Sequence, residues 1–410
     1  MDKLSAMICK KMENDKVFRK FISLLAIPLS PIISFLFSLK YFSSLYGGCC
    51  FVLLGVFLNT NLAFLQRDDI TRMVDVYKQM SVYGANVFVS TDMYFTSLCL
   101  LLAQWKVSLY GALCVWSVIY YIGVWLVMRE LVKGYVKSYV AILLVVIGFF
   151  AIDPGWFSAV RWSTAAFWAL FFFLKAKDEN WKSWKFYLPL ICILVHTSFI
   201  FPLLFFYISK FYGGSIKQWM PLAITTLPLP IILNGTYFSG FLRFILPSSI
   251  LANFGFYLSE SRIQSMEALY HYGKFLYLPL LLLLVYMLYL QYKVLEEEEG
   301  ANIDASLLKM ALVFLVAYNF SFISWDLQIR FRTFTVLVMT IAVARYFYVY
   351  NDAKINRLFV PLLFAFLLYN YDFIVNTFHT RFSINDIFSL TYEAIESCQT
   401  RLAHIRSIYL

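Results

Sequence analysis

Four groups of charged or titratable side chains interrupt an otherwise apolar chain. The first lies in LQRDDITRMVDVY, residues 65–77. Its carboxylates, Asp68 and Asp69, suit a general base or a clamp for a substrate hydroxyl. On a helix, Asp68 and Arg72 share a face and form an ordinary ion pair as readily as a site. The second is Arg161, about one turn into a predicted span. A guanidinium keeps its charge and grips phosphate or pyrophosphate through paired hydrogen bonds. The plainer role is snorkelling to the interface or pairing with Asp153. The third is His196, within LPLICILVHTSFIFPLLFF. Its imidazole suits a general base or a hydrogen bond to sugar or phosphate, and equally a histidine satisfied by a neighbouring helix. The fourth is Arg330 with Arg332. Asp326 stands one helical turn before Arg330 and is its simplest partner.

The elements that carry these groups are membrane segments. The chain has 410 residues, of which 61% are hydrophobic and 14% charged. A soluble domain carries about 25% charged residues. A spanning helix needs about 20 apolar residues. Apolar segments fall at 21–39, 45–65, 92–104, 109–128, 139–152, 156–174, 186–207, 219–233, 274–292, 307–324, 333–349 and 358–374. The predicted architecture is all-α, a polytopic integral membrane protein of roughly 10–12 membrane segments. Residues 1–375 form one membrane domain, and 376–410 an amphipathic tail lying on the bilayer or packed on the bundle. Segments 92–104 and 139–152 are short. Pro28 and Pro31 in 21–39, and Pro221, Pro228 and Pro230 in 219–233, suit segments that enter without crossing.

Lysine and arginine set the orientation. The loops 129–137, 175–185 and 345–357 are basic and are expected inside. Arg161, Arg330 and Arg332 then fall at outer span ends. Two arginines there run against the positive-inside rule and point to an anionic ligand. From Lys185, His196 is expected about 15 Å up a continuous helix, near mid-membrane. The stretch 235–272, with Arg243, Arg262, Tyr270 and His271, is expected outside, as a lid over the site or a plain connector.

The net charge of +10 is spread over span ends, so no basic face for nucleic acid is expected. Seven cysteines without a CxxC pair, and four isolated histidines, give no metal-site pattern. There is no P-loop, HExxH or GxSxG.

The ordered set of motifs resembles the EpsG family of bacterial exopolysaccharide and O-antigen polymerases, the Wzy-like group. The resemblance rests on Asp69, Arg72 and Tyr77 after an early span, then Asp92. Arg161 and Ala165 open the next matching helix. His196 and Ser198 follow a lysine-rich loop, and Arg330 and Phe331 open a late span, with Arg332 an alternative to Arg330. It covers roughly residues 20–350. Trp162 and Thr197 depart from the pattern. The resemblance implies a glycosyltransferase in the bacterial cytoplasmic membrane, acting at its outer face. Its substrate would be a polyprenyl-diphosphate-linked oligosaccharide, with a chain-length regulator as a further partner. Arg161 with Arg330 or Arg332 would stabilise the diphosphate leaving group, and His196 or Asp69 would serve as base. Arg72, Arg243, Arg262, His271 and Tyr77 are further candidates to contact substrate. No cofactor and no metal is implied. A metal-dependent lipid-linked-sugar glycosyltransferase of the GT-C class and a flippase of the same lipid are the rival readings.

Arg161→Ala is expected to cut polymer formation on the order of 100-fold or more while membrane insertion and expression stay normal. Product chain length on gels checks this, and a normal product removes Arg161 from the site.

Overall fold

The computed structural model describes residues 42–61, 69–84, 93–132, 161–212, 215–232, 260–297, 303–321, 325–349 and 357–369. Every regular element among them is helical. Segments 21–39 and 139–152, Asp68, Arg243 and the tail 376–410 lie outside the described residues. The chain divides into two compact units: Met1–Leu143 with Gly155–Phe167 and Phe373–Leu410, and Leu144–Pro154 with Trp168–Asp372.

The first unit holds α1 (Leu45–Asn61), α2 (Asp69–Tyr83), α3 (Met93–Gln104) and α4 (Leu109–Val132). Ser108 caps α4, its hydroxyl accepting from the Gly111 N–H at 3.1 Å. At 1.5 Å per residue α4 is about 36 Å long, enough for a hydrocarbon core of about 30 Å. Helix α1 lies antiparallel against it. Trp125 donates its indole N–H to the Phe42 carbonyl, and Asn59 donates to the Ser117 hydroxyl at 2.6 Å. Between these bonds two glycines let aromatic rings lie on the α1 backbone. A Cβ at Gly48 would sit 2.3 Å from the Trp125 ring, and one at Gly55 2.3 Å from the Tyr121 ring. Seven residues apart, the two glycines share one stripe, the small-residue contact by which apolar helices approach closely.

Helix α2 is amphipathic. Met73, Val74, Tyr77 and Met80 are buried against Phe95, Cys99, Leu102 and Trp116, while Asp75 and Lys78 face outward. Helix α3 spans about 18 Å, too short to cross. Its end is closed by a left-handed residue, Lys106, at φ 53°. The Val107 N–H returns to the Leu102 carbonyl and the Lys106 N–H to that of Ala103, a Schellman turn built without glycine.

The second unit resumes at Trp168, inside α5 (Trp162–Ala176), and holds α6 (Ile191–Val195), α7 (Ile200–Phe211), α8 (Ile216–Thr226), α9 (Leu229–Ile232), α10 (Glu260–Glu297), α11 (Ala305–Phe320), α12 (Trp325–Val349) and α13 (Phe359–Tyr369). Helix α11 is buried on all sides except near its ends and Lys309. It packs against α7, α8, α10 and α12, as expected of a helix apolar all round. Phe173 of α5 stacks on Phe206 of α7 at 4.4 Å, and Phe314 of α11 and Phe334 of α12 close the cluster.

Helix α8 breaks where the prolines fall. The Leu227 N–H turns back to Ile224, leaving the Ala223 carbonyl to the buried Asn319 amide at 3.0 Å. With only 11 residues, α8 covers about half a hydrocarbon core, in keeping with a segment that enters without crossing. The stretch 235–272 is a different matter. From Glu260 onward it is helix, continuous with the expected span 274–292 through α10, 38 residues and about 57 Å long. Residues 260–272 of that stretch are therefore helix and not loop. Leu109–Val132 and the Tyr277–Glu297 part of α10 are long and apolar enough to cross a membrane.

One end of this unit is held by charge. Lys177, its side chain 10% exposed, pairs with Asp178 and with Asp304 at 2.9 Å. Asp304 also caps α11 through the Leu307 N–H. Lys210 donates to the Lys177 carbonyl, and Lys309 to that of Tyr212. Burial alone would raise the Asp178 carboxyl. Hydrogen bonds from Lys177 and Ser306, with the charges of Lys177 and Lys210, outweigh it and hold the group below its usual value. Lys210 moves down, chiefly through burial.

Gly55→Ala should destabilise the fold by about 1–3 kcal/mol through overlap with Tyr121. Adding Tyr121→Ala should relieve that overlap, so the pair should cost less than the two single changes summed. Thermal unfolding in detergent measures both, and an unshifted Gly55→Ala midpoint would contradict the close contact.

Candidate functional site

The expected span 186–207 is not one helix. Residues Trp184–Leu190 form a 3₁₀ helix with Pro189 inside it, followed by the five residues of α6. His196 then adopts an extended backbone, φ −154° and ψ 121°, and a 3₁₀ turn over Thr197–Phe199 leads into α7. The reason is local. A continuous helix would press the Pro202 ring on the Ser198 carbonyl and leave that carbonyl without its N–H donor. Starting α7 at Ile200 puts Pro202 in the first turn, where the missing N–H has no partner to lose. The expected position of His196 midway along a continuous helix is thereby corrected: it stands at a break.

The break is closed by its own side chains. The His196 N–H ends α6 on the Cys192 carbonyl, and its carbonyl accepts from the Phe199 N–H. Its ring Nδ1 accepts from the Ser198 N–H at 3.2 Å and lies 2.9 Å from the Ser198 hydroxyl. His196 is half-buried and Thr197 exposed, while Phe199 is fully buried. On either side, Ile191, Leu194, Ile200, Phe201 and Leu204 present an exposed apolar face.

Phe199 ties this break to α12. It meets Phe334, and Phe205 meets Phe331, so α7 and α12 run past each other with His196 beyond the Phe334 level. Helix α12 begins at Trp325, so both arginines lie inside it and not at its start. Arg330 is four residues before Phe334 and shares its face. Arg332, two residues on, points some 200° round the helix. There its guanidinium lies over Tyr277 at 5.4 Å and Tyr369 at 5.2 Å. Tyr318 meets Tyr277 at 5.7 Å and completes an aromatic box. The two arginines thus have different surroundings. Arg330 lies on the Phe334 face of α12, toward the Phe205 level and away from the His196 break, and Arg332 is held by tyrosines from α10 and α13.

The other candidates fall elsewhere. Arg161 immediately precedes α5, its carbonyl accepting from the Ala165 N–H. It is half-buried and stands at the helix end, not one turn inside it. That end also carries the positive end of the helix dipole, which favours an anion. Asp69 opens α2, and Arg72 follows three residues later. Their side chains lie outside the described residues. Tyr77 is corrected from sugar contact to packing: it is 2% exposed, and its hydroxyl donates to the Val107 carbonyl at 2.7 Å. Arg262 and His271 ride on α10, their side chains outside the described residues. His196, Arg330 and Arg332 belong to the second unit, and Asp69, Arg72, Tyr77 and Arg161 to the first. Among the described residues no three metal-binding side chains converge.

The tyrosine box around Arg332 and the pairing of Lys177 with Asp304 escaped the sequence analysis. Their partners lie far apart in the chain, and the only available signal was the need of a partly buried cation for company. Comparison with known proteins finds no matching family model, no matching curated protein and no matching solved structure.

Proposed function

We propose that this chain is a polytopic membrane glycosyltransferase that polymerises lipid-linked oligosaccharide repeat units, of the EpsG or Wzy-like kind that its motifs resemble. The observation that carries this is the broken segment at His196. Irregular backbone at membrane depth is tolerated only where protein buries it or a water-filled cavity meets it. The apolar residues on both sides of the break suit lipid contact, and the exposed Thr197 suits a polar cavity.

In this reading the protein lies in the bacterial cytoplasmic membrane with its site facing outward. The lysines of 175–185 mark the inner side. The lipid of the donor stays in the bilayer, and its diphosphate sits at the headgroups. The acceptor hydroxyl attacks the anomeric carbon. A glycosidic bond forms as the bond to the diphosphate oxygen breaks, and the electron pair leaves on the diphosphate. Arg330 supplies fixed positive charge for that leaving group. The hydroxyl proton passes to a base, for which His196 is the candidate.

A broken helix is also the building block of transporter sites, which favours the flippase as the second reading. Purified protein in liposomes with lipid-linked repeat units separates the two. A ladder of longer products is expected. Translocation of the lipid without a ladder would remove the enzyme reading.

A further inference from the structure

The 3₁₀ helix Trp184–Leu190 sorts its side chains into rows. With three residues per turn, positions i, i+3 and i+6 stand one above another. Phe186, Pro189 and then Cys192 make the buried row. Trp184 at 69% exposure, Tyr187 at 48% and Leu190 at 43% make the outer row. At about 2 Å per residue the outer row rises about 12 Å. Leu194, one α turn past Leu190, carries it into the exposed apolar face of α6. The foot of the row is fixed and cationic. Tyr187 donates its hydroxyl to the Trp181 carbonyl at 2.8 Å, and Tyr207 donates to the Phe186 carbonyl at 3.0 Å. The Asn180 side chain accepts the Lys182 N–H at 3.0 Å. The Lys182 ammonium lies 5.6 Å over the exposed Trp181 ring. Lys185 reaches Glu179 at 2.9 Å, but its side chain is 47% exposed, and an exposed pair of this kind is weak.

We propose that this row docks an anionic phospholipid of the inner leaflet, its phosphate held by Lys182 and Lys185 and its acyl chain lying along Leu190 and Leu194. This rests on the membrane placement of the function proposed above, with 175–185 inside, and not on its chemistry. Along the row the surface passes from ammonium through indole and phenol to aliphatic carbon. A leaflet changes in the same order. Its headgroup region is about 5–7 Å deep before hydrocarbon begins. Lysine stems reach out to the phosphates, and tryptophan and tyrosine favour the boundary. An anionic surface attracts each lysine beside it. A protein partner arriving from the aqueous side would meet the lysines and indoles but not the aliphatic end, which a bilayer covers.

Two measurements on the full-length protein test this. In the first, delipidated protein in detergent is titrated with phosphatidylglycerol or phosphatidylcholine, and bound lipid is counted by native mass spectrometry. Phosphatidylglycerol is expected to bind more tightly. Each lysine should contribute about 5-fold, so Lys182→Gln with Lys185→Gln should weaken phosphatidylglycerol roughly 25-fold and leave phosphatidylcholine unchanged. Lys182→Arg with Lys185→Arg keeps both charges and should retain the preference. Equal affinity of the wild type for the two lipids, or an unchanged affinity in the glutamine pair, overturns the proposal. The second measurement is depth in nanodiscs. With the seven native cysteines replaced, a nitroxide is placed on Trp184→Cys, Leu190→Cys or Leu194→Cys. A water-soluble nickel relaxant should reach Trp184→Cys and fade toward Leu194→Cys, while dissolved oxygen shows the opposite order. Equal access of nickel at all three positions, or exclusion of both relaxants as a covering protein would cause, overturns it. A failed product ladder in liposomes would instead sink the polymerase reading and leave the lipid binding and depth results standing.

Discussion

The structure depends on one constraint, that a backbone carbonyl or N–H taken out of water must find a partner inside the protein. Leaving such a group unpaired in hydrocarbon costs several kcal/mol. Intact helices meet the requirement along their length, so the informative places are where helices stop. At Thr226 the freed Ala223 carbonyl is met by Asn319. At the start of α4, Ser108 answers Gly111. At His196 an imidazole does the work that serine or aspartate does at ordinary helix starts. The ring used as a cap is committed at Nδ1 to Ser198.

Charge follows the same logic. Lys177 is nearly buried, and it is accommodated because Asp178 and Asp304 meet its ammonium while its own carbonyl receives Lys210. Arg332 is accommodated differently, between the faces of Tyr277 and Tyr369. Removing one partner from such a group costs more than the bond is worth, because the other charge stays behind in a poor solvent. The lysine cluster fastens α5, α7 and α11 at one end of the second unit. The tyrosine box fastens α12 to α10, α11 and α13. Both arrangements leave the Phe173–Phe206–Phe314–Phe334 cluster to fill the space between with rings.

Much of the helical content was legible from hydropathy alone. The run 109–128 appears as α4 and the run 307–324 as α11, because an unbroken apolar stretch has no cheaper way to satisfy its backbone. The brevity of 92–104 and the proline break in 219–233 were legible for the same reason. The site was less so. The run around His196 averages as one span, and hydropathy does not register that Ser198 can bond the ring two residues back. Tyr77 was a candidate to contact substrate because the sequence cannot show that the Val107 carbonyl takes its hydroxyl. Residues 260–272 looked like a loop because their polarity conceals the helix that carries them into α10. Arg330 and Arg332 were equivalent until the packing of Phe331 and Phe334 gave α12 a rotation.

The account turns on whether the break at His196 meets water or lipid. Thr197 is exposed at the break, and Leu204 is exposed on the neighbouring apolar face. With the seven native cysteines replaced, Thr197→Cys and Leu204→Cys can be challenged with a small membrane-impermeant thiol reagent in proteoliposomes. The account predicts that Thr197→Cys is labelled, that added polyprenyl diphosphate protects it, and that Leu204→Cys stays unlabelled. Labelling that is absent at Thr197→Cys, or equal at both positions, would contradict it.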